Sequence, residues 1–168
     1  MKEALDRFSG HSKSYKKFRP VYPQTLYTEL LSHMDSRESC WDCGTGNGQV
    51  ALALARYFQT VYASDISREQ IQNAEQPKNV QFHVERAEST SFESNFFDLI
   101  TVAQAIHWFD LDAFGKEVYR VSKNGGLLAV WGYGLLRISK KIDARIDAFY
   151  SGVVGPYWDR ERRHIDNG

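Results

Sequence analysis

The sequence predicts an α/β fold built on a doubly wound parallel sheet of about five strands, with helices on both faces. Strand-like and helix-like segments alternate along the chain, and a glycine-rich turn joins the first strand to the helix after it. Parallel strands joined by right-handed crossovers bind ligands at their carboxyl ends, where the strand order reverses. A ligand site is therefore expected at that edge of the sheet.

Hydrophobic periodicity places the elements in order. Residues 23–34 predict an amphipathic helix that begins at Pro23 and carries Leu26, Leu30 and Met34 on one face. Strands are predicted to end at residues 40–41 and to span 61–66, 80–84, 96–103 and 127–131, and helices are predicted at 49–58, around 114–121 and at 139–150. Residues 96–103 are almost continuously apolar, which is typical of a strand in the middle of a parallel sheet.

The glycine-rich turn contains Gly44, Gly46 and Gly48, spaced two apart, with Asp42 before them. Glycines permit a sharp turn and let a ligand approach the main chain, while the following helix directs unpaired N–H groups at it. The last glycine of a nicotinamide dinucleotide motif would fall on Gln49, so the spacing disfavours that ligand.

Asp65 ends the next strand. A carboxylate there can accept hydrogen bonds from both hydroxyls of a ribose. Ser67 and Gln70 fit a capping box, so Ser67 is predicted to cap the following helix and to leave Asp65 for a ligand.

A carboxylate, three alternating glycines and an acid on the second strand form the pattern of class I S-adenosylmethionine-dependent methyltransferases. Residues 8–163 resemble this family, and in particular the small-molecule methyltransferases of the trans-aconitate type and of ubiquinone and menaquinone biosynthesis. Further matching motifs lie at residues 8–23, 97–109 and 123–128. The resemblance implies a Rossmann-like fold and S-adenosylmethionine as cofactor, with S-adenosylhomocysteine as product. It also implies methyl transfer to a small organic acceptor, on oxygen or carbon, by in-line displacement.

The resemblance also implies a set of cofactor-binding residues. They are Tyr15, Arg19, Asp42, Gly44, Gly46, Gly48, Asp65, Ile66, Ala87, Glu88 and Gln104. The resemblance assigns Asp42 to the cofactor ammonium, which it would hold directly or through water. It assigns Arg19 to the methionine carboxylate and Asp65 to the ribose. Arg86 stands where relatives often have aspartate.

Three alternatives stay open for individual residues. Glu88 is either a cofactor contact or a solvated loop acid, and Arg19 is either a carboxylate partner or a solvated residue before Pro20. His107 is either a general base or part of the pocket wall, so no catalytic residue is assigned.

Composition restricts the partners. Lys plus Arg and Asp plus Glu number 21 each, so no net charge attracts nucleic acid. We find neither an apolar run long enough to cross a membrane nor a secretory signal, and we expect a cytoplasmic protein. Cys40 and Cys43 should lie on opposite faces of a strand, which argues against a disulfide or a metal site.

We expect one domain over residues 1–168, with covering helices at 1–36, a cofactor-binding core at 37–134, and a terminal helix and charged tail at 135–168. The antiparallel hairpin that follows the fifth strand in similar enzymes is missing, which suggests a fragment or a shortened protein. The fifth strand would then lie at an exposed edge, where a second copy or the terminal helix could cover it. The alternative functions are a non-catalytic cofactor-binding module and, distantly, a nucleotide-dependent oxidoreductase.

Overall fold

The computed structural model describes residues 21–157. Its helices and strands are, in chain order, α1 (Gln24–Ser32), β1 (Ser39–Cys43), α2 (Gln49–Leu54), β2 (Thr60–Asp65), α3 (Arg68–Gln72), β3 (Val80–Val84), β4 (Phe97–Ala103), a 3-10 turn (Ile106–Trp108), α4 (Leu111–Val121), β5 (Ser122–Trp131), α5 (Lys140–Asp147), a π-helix (Ala148–Val154) and a last 3-10 turn (Gly155–Tyr157). The chain divides into two compact units, one ending at Trp131 and the other beginning at Gly132. This division lies close to the predicted start of the C-terminal segment at 135, and the single domain stays a prediction.

The five strands form one parallel sheet in the order β3-β2-β1-β4-β5. The chain runs outward from β1 to β3 on one side and then returns to place β4 on the other side of β1. The order therefore reverses between β1 and β4, and a crevice for a ligand is expected at their carboxyl ends. The predicted fold class is confirmed, and no strand follows β5 within residues 132–157.

Two apolar clusters pack on opposite faces of the sheet. One includes Cys40 and the buried side chains of α1 and α2, and the other includes Cys43, Trp41 and the buried side chains of α4. The predicted separation of the two cysteines is thus confirmed, and burial raises the pKa of both thiols. A strand with both faces covered explains why β1 is buried along its whole length.

Three element predictions need correction. In α1 the most buried side chains are Tyr27 and Leu31, whereas Leu30 and Met34 are half-buried at the border of the stripe. The buried face of the helix therefore centres on Tyr27 and Leu31, one position further along the chain than Leu26 and Leu30. The second helix ends at Leu54 rather than at residue 58, since the chain there forms a turn back toward β2.

The third correction concerns β5, which begins at Ser122 rather than at residue 127. Ser122 pairs with Phe97 and Leu127 pairs with Leu99, so the residues between them form a bulge in the pairing. Gly125 lies in this bulge at φ +81, a left-handed conformation that glycine adopts at little cost.

The strand β5 forms one edge of the sheet, as predicted. Leu128 and Val130 are 43% and 45% exposed, although both are apolar. An exposed edge of this kind is a template for pairing with another strand.

The second unit contains α5 and the π-helix that continues it. Ile142 and Phe149, which lie in the predicted helix 139–150, are exposed, and no side chain of these two helices is buried. An exposed ion pair at 2.8 Å joins Arg137, which precedes α5, to Asp147 at the end of that helix. Among residues 21–157, no helix has both the length and the apolar character that crossing a bilayer requires.

A buried carboxylate holds the amino ends of three strands together. Asp98 of β4 accepts hydrogen bonds from the N–H groups of Glu38 and Ser39 at 3.0 and 2.9 Å, and it pairs with Lys123 of β5 at 2.9 Å. Burial by itself raises the pKa of Asp98, but the bonds from Ser39 and Lys123 outweigh it and leave that pKa below its ordinary value.

The variant Asp98→Asn is expected to lose about 2–4 kcal/mol of unfolding free energy at neutral pH, because Lys123 and two N–H groups lose a charged partner. Since the folded pKa is lowered, this stabilisation is complete above the unfolded pKa of about 4 and disappears as the pH falls through the folded value. Urea titrations between pH 2 and 7 should therefore show the two proteins converging at acid pH. A constant difference across that range would contradict the assignment.

Candidate functional site

The glycine turn lies at the carboxyl end of β1, beside the point where the strand order reverses. Gly44, Gly46 and Gly48 all have positive φ, at +68, +56 and +85. The Thr45 N–H donates to the main-chain oxygen of Ser64 at 2.9 Å, which joins the turn to the end of β2. The turn is therefore a fixed loop whose backbone only glycine adopts without strain.

Two of the three glycines are also required by packing. A Cβ on Gly44 would lie 2.6 Å from the Cβ of Ala105, and one on Gly48 would lie 3.0 Å from the ring of Phe82. The segment after β4 and a side chain of β3 therefore pack directly against the loop. The sequence pattern predicted a ligand role for these glycines but not these neighbours.

Asp65 lies at the end of β2 and faces the loop. One carboxylate oxygen accepts the Gly46 N–H at 2.8 Å, and the other accepts the Ser67 N–H at 2.9 Å. Ser67 caps α3 as predicted, since its hydroxyl accepts the Gln70 N–H. The Asp65 carboxylate itself accepts main-chain N–H groups on both sides, and its availability to a ligand stays a prediction.

These contacts are compatible with ribose binding. A carboxylate can accept about four hydrogen bonds, and the two main-chain donors fix its orientation at the carboxyl end of the sheet. Asp65 is the group of the described site whose position and chemistry fit a nucleoside best.

Asp42 faces the protein instead. It is only 1% exposed, and its oxygens accept hydrogen bonds from the Thr45 hydroxyl, from the Thr101 hydroxyl at 2.9 Å and from the Ala51 N–H at 3.1 Å. The predicted direct contact with the cofactor ammonium does not fit this burial. The carboxylate joins the loop to β4 and to the start of α2, because these three donors converge on it.

The charge of Asp42 also acts on a neighbouring core residue. Burial, and after it the nearby Asp42 carboxylate, raises the pKa of Tyr27 to about 12. The core beneath the glycine loop thus contains a carboxylate whose oxygens accept hydrogen bonds from protein donors.

The loop after β3 contains the residues predicted at the adenine edge. Ala87 is buried in the same cluster as Phe92, and Ile66 at the end of β2 is half-buried. The Glu88 side chain is 8% exposed, pairs with Arg86 at 3.3 Å and accepts the Asp110 N–H at 3.0 Å. The alternative of a solvated loop acid is therefore wrong for Glu88.

Gln104 follows β4 directly and has φ +56, a left-handed conformation that is uncommon for a residue with a side chain. Its N–H donates to the Trp131 main-chain oxygen at 3.0 Å, so the strand end is held in this bend. Local strain of this kind often accompanies functional sites. His107 lies in the 3-10 turn after it, 8% exposed, with its ring centroid 4.6 Å from that of Trp108.

The predicted set is thus brought together only in part. The carboxyl ends of β1, β2 and β4 bring together the glycine loop, Asp65 with Ile66, and Gln104. Residues 87–88 follow β3 at the same end of the sheet. Tyr15 and Arg19 lie outside the described residues, and their roles stay predictions.

A cavity of about 410 Å³ lies at the opposite end of the sheet. Its lining includes His33, Asp98, Lys123 and Gly126, and it contains no residue of the glycine loop. Ligands of doubly wound sheets bind at the carboxyl ends of the strands, so this cavity does not correspond to the cofactor site.

Two contributors to the site were not predicted from the sequence. Thr101 was predicted only as one residue of the apolar strand 96–103. A polar residue within such a run could have indicated a buried hydrogen bond, and the Thr101 hydroxyl does donate to Asp42. Phe82 lies in the predicted strand 80–84, but the contact of its ring with the Gly48 position depends on the packing of two distant segments.

The comparisons with known proteins agree with this geometry. Residues 41–130 match the family described as "Methyltransferase domain". A Dictyostelium discoideum protein assigned to the methyltransferases is 42% identical over 166 residues, which cover 96% of this chain and 63% of that protein. The demethylmenaquinone methyltransferase of Bacteroides fragilis is 36% identical over 136 residues, which cover 75% of this chain and 49% of that enzyme.

A solved structure gives the same result. A protein from Anaeromyxobacter dehalogenans, assigned as a type II methyltransferase, superposes with a TM-score of 0.78 at 39% identity, covering 88% of this chain and 63% of that one. The chain therefore spans less than two thirds of the length of these relatives. Methyltransferases of this family use S-adenosylmethionine as the methyl donor. The family match covers more than half of the chain, and Asp65 and the glycine loop lie at the carboxyl ends of the strands, as expected for this fold. This chain therefore belongs to the methyltransferase domain family.

Proposed function

We propose that this chain binds S-adenosylmethionine at the carboxyl ends of β1 and β2 and serves the transfer of its methyl group to a small organic acceptor. The observation that carries the proposal is Asp65, whose carboxylate is held beside the glycine loop by the Gly46 and Ser67 N–H groups. In Rossmann-type sites, an acid at this position accepts hydrogen bonds from the ribose.

The other contacts follow from the elements around the loop. Ile66 lies against the adenine face, and residues 87–88 lie at the adenine edge. The Gln104 main chain borders the methyl-donating end. Tyr15 and Arg19 complete the site from the N-terminal segment, with Arg19 pairing with the methionine carboxylate. Asp42 supports the loop from below, because its carboxylate is occupied by protein donors.

The bound cofactor supplies a methyl group already activated on a sulfonium sulfur. The residues of this chain then have to hold a nucleophile in line with that group and exclude water. A general base is not obligatory. His107, which is buried in the 3-10 turn after β4, is the candidate for accepting a proton from the acceptor, and a place in the pocket wall is the alternative role.

We propose an acceptor that is a small molecule reacting through oxygen or carbon. Equal numbers of acidic and basic residues disfavour a nucleic acid, and no Asn-Pro-Pro-aromatic sequence follows β4. One relative is named for demethylmenaquinone, so quinol precursors belong in the first panel of acceptors. A cytoplasmic location stays a prediction.

Calorimetry with S-adenosylhomocysteine and with NAD tests the cofactor. We expect binding of the former and none of the latter, and the opposite result would refute the proposal. Turnover on a panel of small acids and quinol precursors then separates an enzyme from a non-catalytic cofactor-binding module, which is the alternative function. Binding without turnover on any acceptor would favour that alternative.

We further propose that the β5 edge pairs with the β5 edge of a second copy, since Leu128 and Val130 are apolar and exposed there. The molecular mass in solution should then be that of a dimer, and the double substitution Leu128→Lys with Val130→Lys should give a monomer that still binds S-adenosylhomocysteine. A wild-type monomer would show that this edge does not pair.

A further inference from the structure

Helix α4 contains a carboxylate on its apolar side that the proposed chemistry does not use. Glu117 is 8% exposed and lies on the same helix as Phe114 and Val121, which are buried against the sheet. Removing a charged group from water is costly unless the protein supplies hydrogen bonds and an opposite charge. The partners of Glu117 therefore indicate what this charge is for.

The partners of Glu117 belong to its own helix and to the loop after β3. One oxygen accepts the Thr90 N–H at 2.8 Å, and the Thr90 hydroxyl donates to that oxygen as well. Arg120 donates to the two oxygens from Nη2 and Nε at 2.6 and 2.9 Å. Burial alone raises the pKa of Glu117, but the bonds from Arg120 and Thr90 leave it below its ordinary value, so the group stays ionised.

Arg120 joins helix α4 to further main-chain groups of the same loop. Its Nη1 donates to the main-chain oxygen of Phe92 at 2.8 Å, and its Nη2 lies 3.4 Å from the main-chain oxygen of Thr90. The last turns of α4 thus hold residues 90–92 through side-chain and main-chain groups. These residues lie between β3 and β4, where the described chain forms no named strand or helix.

The first turn of α4 holds the same loop at another point. The N–H of Asp110, the residue that caps the helix, donates to Glu88 at 3.0 Å. The helix thus holds Glu88 directly and holds residues 90–92, two to four positions further along the same loop. A loop held at two nearby points by one helix keeps its shape there when no ligand is bound.

We propose that Glu117 is a positioning residue for the cofactor. By accepting hydrogen bonds from Thr90 and pairing with Arg120, it fixes the conformation of the loop after β3. Residues 87–88 are then already in place to contact the edge of the adenine before the cofactor binds. The inference rests on the proposed function, because it concerns the same cofactor site. It adds a residue that does not touch the ligand and lies 29 positions from Glu88 along the chain.

The test compares Glu117→Gln with the variant Asp98→Asn. Both substitutions remove a buried carboxylate that pairs with one basic side chain and accepts main-chain N–H groups, but Asp98 lies at the amino end of the sheet. We expect Glu117→Gln to raise the Kd for S-adenosylhomocysteine and the KM for S-adenosylmethionine about tenfold, with kcat at saturation within about twofold. Asp98→Asn should leave the Kd within about twofold despite its loss of stability.

Hydrogen exchange of the ligand-free protein provides a readout that does not depend on the cofactor. The amides of residues 86–92 should exchange at least about tenfold faster in Glu117→Gln and unchanged in Asp98→Asn. A folded Glu117→Gln protein with an unchanged Kd and unchanged exchange would overturn the inference. An equal rise in Kd in both variants would also overturn it, because general loss of stability would then explain the effect.

Substitution of the loop partner covers the case in which Glu117→Gln does not fold. Thr90→Val removes only the hydroxyl donor, and Thr90→Ser keeps it. We expect the valine variant to raise the Kd and the exchange rate, and the serine variant to match the wild type in both. If the wild type does not bind S-adenosylhomocysteine, the proposed function fails, and the exchange rates still decide whether Glu117 sets the loop.

Discussion

Replacing Asp65 by alanine should weaken the binding of S-adenosylhomocysteine roughly 10- to 100-fold, because hydrogen bonds to a charged acceptor contribute about 1.5–3 kcal/mol. The substitution removes the proposed ribose acceptor and, together with it, the partner of the Gly46 and Ser67 N–H groups. Isothermal titration calorimetry measures the effect directly. Unfolding in urea shows how much of it comes from a less stable loop.

Ser67→Ala is the matched control for this experiment. It removes the hydroxyl that caps α3 through a 3.4 Å contact with the Gln70 N–H, two residues from Asp65, but leaves the carboxylate in place. We expect a stability loss of at most about 1 kcal/mol and an unchanged affinity. If Asp65→Ala also binds with unchanged affinity, Asp65 supports only the loop and the ribose assignment is wrong.

Replacing Asp42 by asparagine should cost about 3–5 kcal/mol of unfolding free energy. The carboxylate is 1% exposed and accepts bonds from two hydroxyls and from the Ala51 N–H, whereas asparagine keeps only one acceptor oxygen and its NH2 group would face at least one of these donors. Urea denaturation of the purified variant measures the loss. Such a loss approaches the whole stability of many small proteins.

The control for Asp42 is Thr101→Val, which removes one donor and keeps the shape of the side chain. It should cost about 1 kcal/mol. A direct contact between Asp42 and the cofactor ammonium predicts the reverse pattern, in which Asp42→Asn loses affinity but little stability. That pattern would restore the role expected from the family resemblance.

The sequence alone determined the class of fold and indicated at which end of the strands a ligand site is expected. Alternating apolar segments imply parallel strands with helical crossovers, and the glycine turn before α2 and the acid at the end of β2 mark the carboxyl edge. The Ser67 cap was also predictable, because it depends on residues within one helical turn of each other. The edge position of β5 was predicted because no further strand was recognised after it, and the strand order within residues 21–157 agrees.

Only the tertiary structure decided how the individual residues of the site are used. Asp42 and Asp65 look alike in the sequence, yet one faces the core and the other the loop, because Thr101 on β4 and Gly46 in the turn offer donors on different sides. The partner of Glu117 is Thr90, 27 residues away, and the Cβ of Ala105 leaves room only for glycine at position 44. Helical turns and caps depend on neighbours along the chain, whereas burial and hydrogen-bond partners depend on which distant segments the sheet brings together.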